Sequence, residues 1–305
     1  MSEIGLSALL SPMTIDDFLI SAWPDQPYVN HELCESIATL KSLPFLQSLE
    51  VLLNSWPKLV QAHLPDVSDE SSAVDVTPQN AKKLFANKMG LLFNNVQTIS
   101  PELATWLAAI KSDLGLPVST LARCMVYATP HGKGTAAHFD QNINFILQLE
   151  GIKKWTVAPN NHVENPTERF TIGQPVDPEL ASYAAPVMPT SMPHEDRQEI
   201  ILQPGSMLFL PRGYWHCTEA EGEALALNFT FSQPSWADIF LAALRSRLLL
   251  SPEWRELADG VSSANQALRA QAQEKFDLLI QELREDIPNW SAADILAATE
   301  GEYKC

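Results

Sequence analysis

The strongest constraint on this 305-residue chain is a set of three side chains that lie far apart in the sequence yet can bind one metal ion. His138 and Asp140 are separated by one residue, and His216 ends the later segment Pro211 to His216. Residues two apart in a β-strand face the same side, so His138 and Asp140 can converge on one ion. Two imidazoles and one carboxylate form the facial triad of non-haem Fe(II) oxygenases, which leaves about three coordination positions open. The pattern predicts antiparallel β-structure around an oxygenase site.

The middle of the chain has the period-two apolar pattern of short strands. Runs rich in aliphatic and aromatic residues are separated by Gly, Pro and Asn, which favour turns. The predicted strands are Leu121 to Ala128, Ile143 to Leu149, Lys154 to Ala158, Glu199 to Gln203, Ser206 to Leu210 and Ala224 to Phe231. Short strands at this density predict a small antiparallel barrel or sandwich.

Both ends of the chain show helical periodicity. Thr14 and Ser100 are candidate N-caps, because each hydroxyl precedes an apolar-periodic run. Apolar residues three and four apart predict helices over Ala81 to Leu92, Pro101 to Leu114, Ser235 to Leu250 and Gln266 to Leu283. The acidic, Ser-rich stretch Asp66 to Thr77 predicts an exposed loop.

These patterns divide the chain into three predicted regions. Residues 1–115 form a helical region packing on the barrel, residues 116–233 form the barrel, and residues 234–305 form a C-terminal helical region. The barrel contains a long Pro-rich insert, residues 159–198, which is either a lid facing the substrate or a structural excursion. The C-terminal helices can bury their apolar faces against a second copy of the chain or against the N-terminal helices, so a homodimer is one expectation.

The charge of the chain limits the classes of partner that it can bind, and its cysteine content bears on its location. The net charge of −17, from 20 basic and 37 acidic residues, argues against nucleic-acid and membrane partners. It is compatible with a basic protein or peptide partner, but an acidic surface that serves only solubility would give the same charge. No apolar run approaches the ~18 residues of a membrane span, and the N-terminus lacks the pattern of a signal peptide. The four cysteines show neither C-x-x-C spacing nor a disulfide framework. A cytoplasmic location is therefore expected.

Three segments resemble the JmjC-type cupin oxygenases. They are Thr129 to Asp140, Phe145 to Trp155 and Pro204 to His216. The resemblance is closest to the ribosomal-oxygenase (cupin 4) branch and extends to the asparaginyl hydroxylase that modifies hypoxia-inducible factor. It covers roughly Leu92 to Phe231, and it implies a mainly β fold with helical ends (α+β), in which a double-stranded β-helix is flanked by N- and C-terminal helices.

The resemblance also implies Fe(II) and the co-substrate 2-oxoglutarate. His138, Asp140 and His216 would be the iron ligands and the catalytic residues. Lys153 matches the cation that binds the distal carboxylate of 2-oxoglutarate, and Thr135 matches a hydroxyl that helps to hold the same carboxylate. A buried lysine needs an anion, which a dicarboxylate can supply. Strand alternation allows only one of Lys153 and its neighbour Lys154 to enter the barrel.

Further pocket positions follow from the same resemblance. Asn144 and Asn228 interrupt apolar strands and match polar pocket positions, where each amide bonds either to oxygens bound at the iron and a water or within the strands. Tyr127 matches a pocket tyrosine of the ribosomal-oxygenase branch. Met125 departs from the asparagine common in that branch, which leaves the choice of substrate open.

The triad and the resemblance together predict an oxygenase that hydroxylates a protein or peptide side chain and releases succinate and CO2. A ribosomal protein is one candidate substrate, because its charge would complement that of this chain. Two alternatives stay open: a 2-oxoglutarate hydroxylase of a small molecule, which would use the same ligands, and a metal-binding cupin without turnover that acts as a sensor or scaffold. Iron binding without succinate release would identify the latter.

Overall fold

The structure is a computed structural model that describes residues 4–33, 35, 37–64 and 72–301. It contains two compact units. The first comprises Met1–Leu116 and Leu121–Ser232, and the second comprises Pro117–Thr120 and Gln233–Cys305. Within the described ranges, no helix has the length and apolarity that a bilayer crossing requires.

The first unit begins with short helices that alternate with short strands. Its helices are α1 (Leu6–Leu10), α2 (Ile15–Ser21), α3 (Ala38–Lys41), α4 (Leu49–Ser55), α5 (Pro78–Ala86) and α6 (Pro101–Asp113), and its early strands are β1 (Tyr28–Asn30), β2 (Val60–His63), β3 (Ala73–Val76) and β4 (Gly90–Phe93). The predicted caps are confirmed: the Thr14 hydroxyl accepts a hydrogen bond from the Asp17 amide, and the Ser100 hydroxyl accepts one from the Leu103 amide.

An antiparallel sheet forms the rest of this unit. It adds β5 (Leu121–Thr129), β6 (Gly134–Phe139), β7 (Ile143–Ala158), β8 (Phe170–Thr171), β9 (Gln198–Leu202), β10 (Met207–Leu210) and β11 (Trp215–Ser232), with a short helix α7 (Pro178–Ala181) between β8 and β9. The main strand order is β1-β10-β7-β11-β5-β4-β2-β3, while β6 pairs with β11 and β8, and β9 pairs with β7. The predicted mainly β fold with helical ends is therefore confirmed.

The two long strands β7 and β11 pair with each other in the central part of the sheet. Their register runs from Trp215 opposite Ala158 to Phe231 opposite Ile143, and it is irregular between Glu221 and Leu225. Gly151 allows the strands to approach at this irregularity, because its φ is +68° and an added Cβ would lie 2.0 Å from the Glu223 carbonyl oxygen. The sequence pattern split β7 into two predicted strands at this glycine, whereas the structure joins them.

Two predicted elements are wrong at their ends. The helix expected over Ala81 to Leu92 stops at Ala86, and Gly90–Phe93 is strand β4, which pairs with β5. Lys88 has a φ of 67°, a left-handed conformation that a helix cannot continue through. In the loop expected over Asp66 to Thr77, Ala73–Val76 is strand β3, paired with β2. The positions 66–71 lie outside the described residues.

The main hydrophobic core lies between the N-terminal helices and one face of the sheet. Phe18 of α2 packs against Phe145 of β7 and Phe209 of β10, with ring centroids 6.2 Å and 5.1 Å away. A smaller core fixes the insert of residues 159–198, where Phe170 lies 6.0 Å from both Phe139 and Trp215. The insert is therefore a packed substructure that contacts the last residue of β6, Phe139, and the first residue of β11, Trp215.

The second unit is helical, with α8 (Trp236–Leu248), α9 (Gln266–Asp286) and α10 (Ala292–Gly301). The two predicted C-terminal helices are confirmed as α8 and α9. Ser235 and Asp238 form a capping box at the start of α8. Arg247 of α8 makes a bidentate ion pair with Asp286 at the end of α9, with N–O distances of 2.9 and 2.7 Å. Ion pairing thus ties together two helices that are mostly exposed.

Candidate metal centre and its cavity

The two candidate histidine ligands face each other across neighbouring strands. His138 of β6 is directly opposite His216 of β11 in the antiparallel register. Their ring centroids are 4.0 Å apart, and each residue is only 4% exposed. The strand pairing therefore brings together two imidazoles that are distant in the sequence.

Backbone carbonyls fix the orientation of both rings. The His138 Nδ1 lies 2.7 Å from the Ala136 carbonyl oxygen, and the His216 Nδ1 lies 3.0 Å from the Tyr214 carbonyl oxygen. A carbonyl can only accept, so each Nδ1 donates its hydrogen and each Nε2 carries the ring's lone pair. Such bonds to the remote nitrogen are typical of histidines that bind metals.

Asp140 completes the group at the end of β6. Its Oδ2 lies 3.9 Å from the His138 Nε2 and 3.8 Å from the His216 Nε2. The Gly213 amide donates to the Asp140 carbonyl oxygen over 2.8 Å, which holds this end of β6 beside the start of β11. One ligand atom from each residue lies within 4.8 Å of the others, so the three could hold a metal ion.

The electrostatics favour metal binding over protonation of the rings. Burial lowers the pKa of His138 well below its usual value, and the nearby His216 and Arg169 lower it further. Burial also lowers the pKa of His216, although Asp140 opposes the shift. The neutral form of both rings is therefore favoured, and in that form a metal can bind without first displacing a proton from Nε2.

A cavity of ≈ 180 Å³ opens beside the three ligand atoms. All the residues that the sequence nominated for the site line it: His138, Asp140, His216, Lys153, Thr135, Asn144, Asn228 and Tyr127. Concave sites that gather a few polar groups on an apolar wall are typical of small-molecule binding. The structure therefore brings all of these positions together.

Lys153 is the buried cation of the cavity. Its Nζ donates to the Thr129 hydroxyl over 3.2 Å and lies 5.7 Å from the centre of the Trp155 ring. Burial lowers its pKa to about 8. The ion pairs found among the described residues do not include Lys153. Lys154, as alternation predicts, faces outward and pairs with Glu199 at 2.7 Å.

Two asparagines, Asn144 and Asn228, line the wall next to the candidate metal ligands, and Thr230 bonds to one of them. The Asn144 Oδ1 accepts hydrogen bonds from the Thr230 hydroxyl at 2.7 Å and from the Asn228 amide nitrogen at 3.2 Å. Asn228 is buried, and its Oδ1 has no hydrogen-bond partner within the described part of the chain. A buried amide atom without a partner indicates that a ligand or water completes its bonding.

Thr135 is held by a residue that the sequence reasoning did not nominate. Its amide and its hydroxyl lie 3.1 Å and 3.0 Å from the Thr218 hydroxyl. Trp155 is a second cavity residue that was not nominated. Thr218 is two residues after His216 and Trp155 is two after Lys153, so strand alternation could have identified both as facing the cavity. Arg169 was also missed, and it comes from the irregular insert, where no periodic pattern exists to reveal it.

Comparison with known proteins identifies the family. Residues 107–239 match the JmjC domain family. The uncharacterized protein YxbC of Bacillus subtilis (strain 168) is 32% identical over 310 residues, which cover 99% of this chain and 93% of that protein. The chain belongs to the JmjC-domain family. A second relative, ribosomal oxygenase 1 of Rattus norvegicus, is 31% identical over 171 residues that make up 55% of this chain and 26% of that protein, so this JmjC chain spans about a quarter of its length.

A solved structure supports the same fold. The ribosomal oxygenase YcfD of Escherichia coli, in complex with cobalt and succinic acid, matches with a TM-score of 0.51 and 18% identity over 96% of this chain and 71% of that one. At this identity the likeness concerns the fold alone. The expected double-stranded β-helix of the JmjC and cupin type, with helices at both ends, is thus confirmed.

Proposed function

We propose that this JmjC protein is an Fe(II)- and 2-oxoglutarate-dependent oxygenase that hydroxylates a protein or peptide side chain and releases succinate and CO2. The observation that carries the proposal is the convergence of two neutral imidazoles and a carboxylate on a cavity that also contains a buried lysine. A triad gathered on one side suits a metal that needs open positions for co-substrate and O2.

His138, Asp140 and His216 are the residues that would hold the metal. Their donor set fits Fe(II), since two imidazoles and one carboxylate leave room for further ligands. Fe(II) bound there would supply the activation of O2, with 2-oxoglutarate as the reductant. The chain contributes by presenting the Nε2 atoms of both rings for coordination and by burying His138, Lys153 and His216 in the cavity wall.

Lys153 is the proposed partner of the distal carboxylate of 2-oxoglutarate. An ammonium that is buried beside hydroxyls and aromatic rings is costly unless an anion joins it. Thr135 and Tyr127 line the same cavity and can donate hydroxyl hydrogens to the co-substrate. Asn144 and Asn228 can complete their amide bonding on the co-substrate or on a bound water.

A protein or peptide substrate is supported by the names of the relatives, of which ribosomal oxygenase 1 is one. The net charge of −17 would attract a basic partner such as a ribosomal protein and would repel nucleic acid and anionic membranes. A small-molecule substrate remains the alternative outcome, since it would use the same ligands. Catalytic turnover distinguishes both kinds of hydroxylase from a metal-binding scaffold, which would release no succinate.

A homodimer through the C-terminal helices belongs to the same proposal. Helix α9 has no buried residue, and it exposes Leu268, Phe276 and Leu278. Apolar side chains on a 21-residue helix favour a partner surface, and a second copy of the chain can provide one. Light scattering at graded protein concentrations tests the dimer, and a monomer at all of them would refute it.

We also propose a cytoplasmic location. Cys124 and Cys217 are free thiols, which suits such a location.

Succinate release measured against substrate hydroxylation tests the proposed reaction. Purified protein with Fe(II), ascorbate, 2-oxoglutarate and O2 is expected to release one succinate for each hydroxyl group placed on a peptide drawn from a ribosomal-protein library. Succinate released with a metabolite extract but with no peptide would indicate the small-molecule alternative. Metal binding with no succinate under any condition would leave only the scaffold.

A further inference from the structure

Arg169 connects the insert to the candidate metal centre. Its Nε lies 3.5 Å from the Oδ1 of Asp140, and the exposed fractions of the two side chains are 40% and 22%. Arg169 also lines the cavity. The insert therefore delivers a positive charge to one of the three candidate ligands.

Strand register fixes this approach. Strand β8 pairs antiparallel with β6, so that Thr171 is opposite His138 and Phe170 is opposite Phe139. One step further along the same register, Arg169 comes opposite Asp140. The buried ring of Phe170 packs against Phe139 and Trp215, which anchors the backbone that carries Arg169. The ion pair follows from the pairing of β8 with β6 and does not depend on a loose surface loop.

The two oxygens of the Asp140 carboxylate have different partners. Oδ2 faces the Nε2 atoms of His138 and His216, while Oδ1 faces Arg169. A carboxylate whose second oxygen is engaged by a guanidinium is favoured to bind a metal through one oxygen only. Binding through both oxygens would take a coordination position that co-substrate or O2 needs.

We propose that Arg169 is a positioning residue that engages the Oδ1 of Asp140, so that this carboxylate binds the metal through Oδ2 alone. The proposal rests on the proposed function, because it presupposes that the triad binds a metal. It assigns the insert a role in the metal centre itself, in addition to any contact with substrate.

An ordinary surface ion pair would not have this effect. Exposed pairs contribute little to stability, because water screens them and ordering the side chains costs entropy. Asp140 is different, since its side chain is only 22% exposed and lies beside two buried imidazoles. Loss of the contact is therefore expected to change how the carboxylate binds a metal more than how stable the fold is.

Mn(II) binding without 2-oxoglutarate tests the proposal. Titration gives the affinity, and water-proton relaxation of the complex gives the number of exchangeable waters on the ion. The wild type is expected to keep about three such waters. Arg169→Gln is expected to weaken Mn(II) binding about tenfold or more, because the carboxylate loses the contact that orients it. It is also expected to lose about one water, because Asp140 can then bind through both oxygens.

Two further variants separate positioning from structure. Arg169→Lys keeps the positive charge and is expected to recover most of the Mn(II) affinity, which lost strand packing would not allow. Arg197→Gln removes an exposed arginine of the same insert that contacts His194, and it is expected to match the wild type. Thermal unfolding establishes that all the variants fold.

The outcomes distinguish this inference from the function on which it rests. Equal affinity and an equal water number in the wild type and Arg169→Gln would overturn the role of Arg169 and leave the metal site intact. Failure of the wild type itself to bind Mn(II) would overturn both.

Discussion

His138 and His216 occupy facing positions on β6 and β11, with their ring centroids 4.0 Å apart. Each ring donates its Nδ1 hydrogen to the backbone carbonyl of the residue two positions earlier. The metal-facing geometry is thus built from two identical local arrangements on paired strands.

Removal of the carboxylate ligand should abolish tight metal binding. Asp140→Ala leaves only two imidazoles, and the loss of Mn(II) affinity is expected to exceed the roughly 100-fold that loss of a supporting contact can cost. Calorimetric titration measures it. Glu199→Ala, which removes an exposed carboxylate paired with Lys154, serves as the control and should bind Mn(II) normally. Unchanged affinity in Asp140→Ala would exclude this residue as a ligand.

Substitution of the two adjacent lysines, Lys153 and Lys154, should have very different effects on the KM for 2-oxoglutarate. Lys153→Ala removes a buried charge partner of the dicarboxylate, which costs ~2 to 5 kcal/mol, so the KM for 2-oxoglutarate should rise by roughly 30-fold or more. Lys154→Ala removes only an exposed ion pair and should leave the KM unchanged. Equal effects of the two substitutions on KM would contradict the assignment of Lys153.

Co-substrate binding should depend on pH through Lys153. Burial lowers its pKa from 10.5 to about 8, so the empty site holds the ammonium form below that pH and the neutral amine above it. Only the ammonium can pair with a carboxylate, and the affinity for 2-oxoglutarate should therefore fall as the pH rises through about 8. A bound dicarboxylate favours the charged form, so binding above this pH should take up a proton. Lys153→Met should show a flat profile between pH 7 and pH 9, and a flat wild-type profile would contradict the prediction.

The empty protein should show the opposite pH trend in stability. The folded Lys153 has a pKa of about 8 while the unfolded lysine keeps 10.5, so the unfolded chain binds more protons between these values. Stability therefore rises with pH across that window. Denaturant unfolding of the wild type relative to Lys153→Met measures this difference, and a difference that stays constant from pH 8 to pH 10 would count against the shifted pKa.

The close approach at Gly151 predicts a specific loss of stability. A side chain at positive φ costs about 1 to 2 kcal/mol, and a Cβ at Gly151 would also meet the Glu223 carbonyl oxygen at 2.0 Å. Gly222→Ala is the matched control, because Gly222 has a φ of +84° and nothing within 4 Å of its added Cβ. Chemical unfolding should show a larger loss for Gly151→Ala than for Gly222→Ala. Equal losses would mean that backbone strain alone matters there.

Much of the site was predictable because the spacing of residues along a β-strand determines which face their side chains occupy. His138 and Asp140 share a face by alternation, and the same rule separates the buried Lys153 from the exposed Lys154. His216 was nominated from its residue type after a predicted strand, and the resemblance to JmjC-type oxygenases supported the strand pairing that local spacing does not specify.

The errors have equally physical causes. Leu91 and Leu92 continue the apolar spacing of the preceding helix, so periodicity alone could not show that Lys88 ends it. Arg169 lies in an insert without periodicity, and its approach to Asp140 depends on the pairing of two-residue strand β8 with β6. Contacts made by short strands between distant segments leave no local signal in the sequence.

Anaerobic titration with Fe(II) and 2-oxoglutarate, followed by visible absorption, tests most directly whether the triad and Lys153 form one site. A weak charge-transfer band that saturates at one equivalent of each is expected for the wild type. The band should be absent in His216→Ala, and Lys153→Ala should require much more 2-oxoglutarate to reach it. No band in a folded wild-type protein, or an undiminished band in His216→Ala, would contradict the proposed centre.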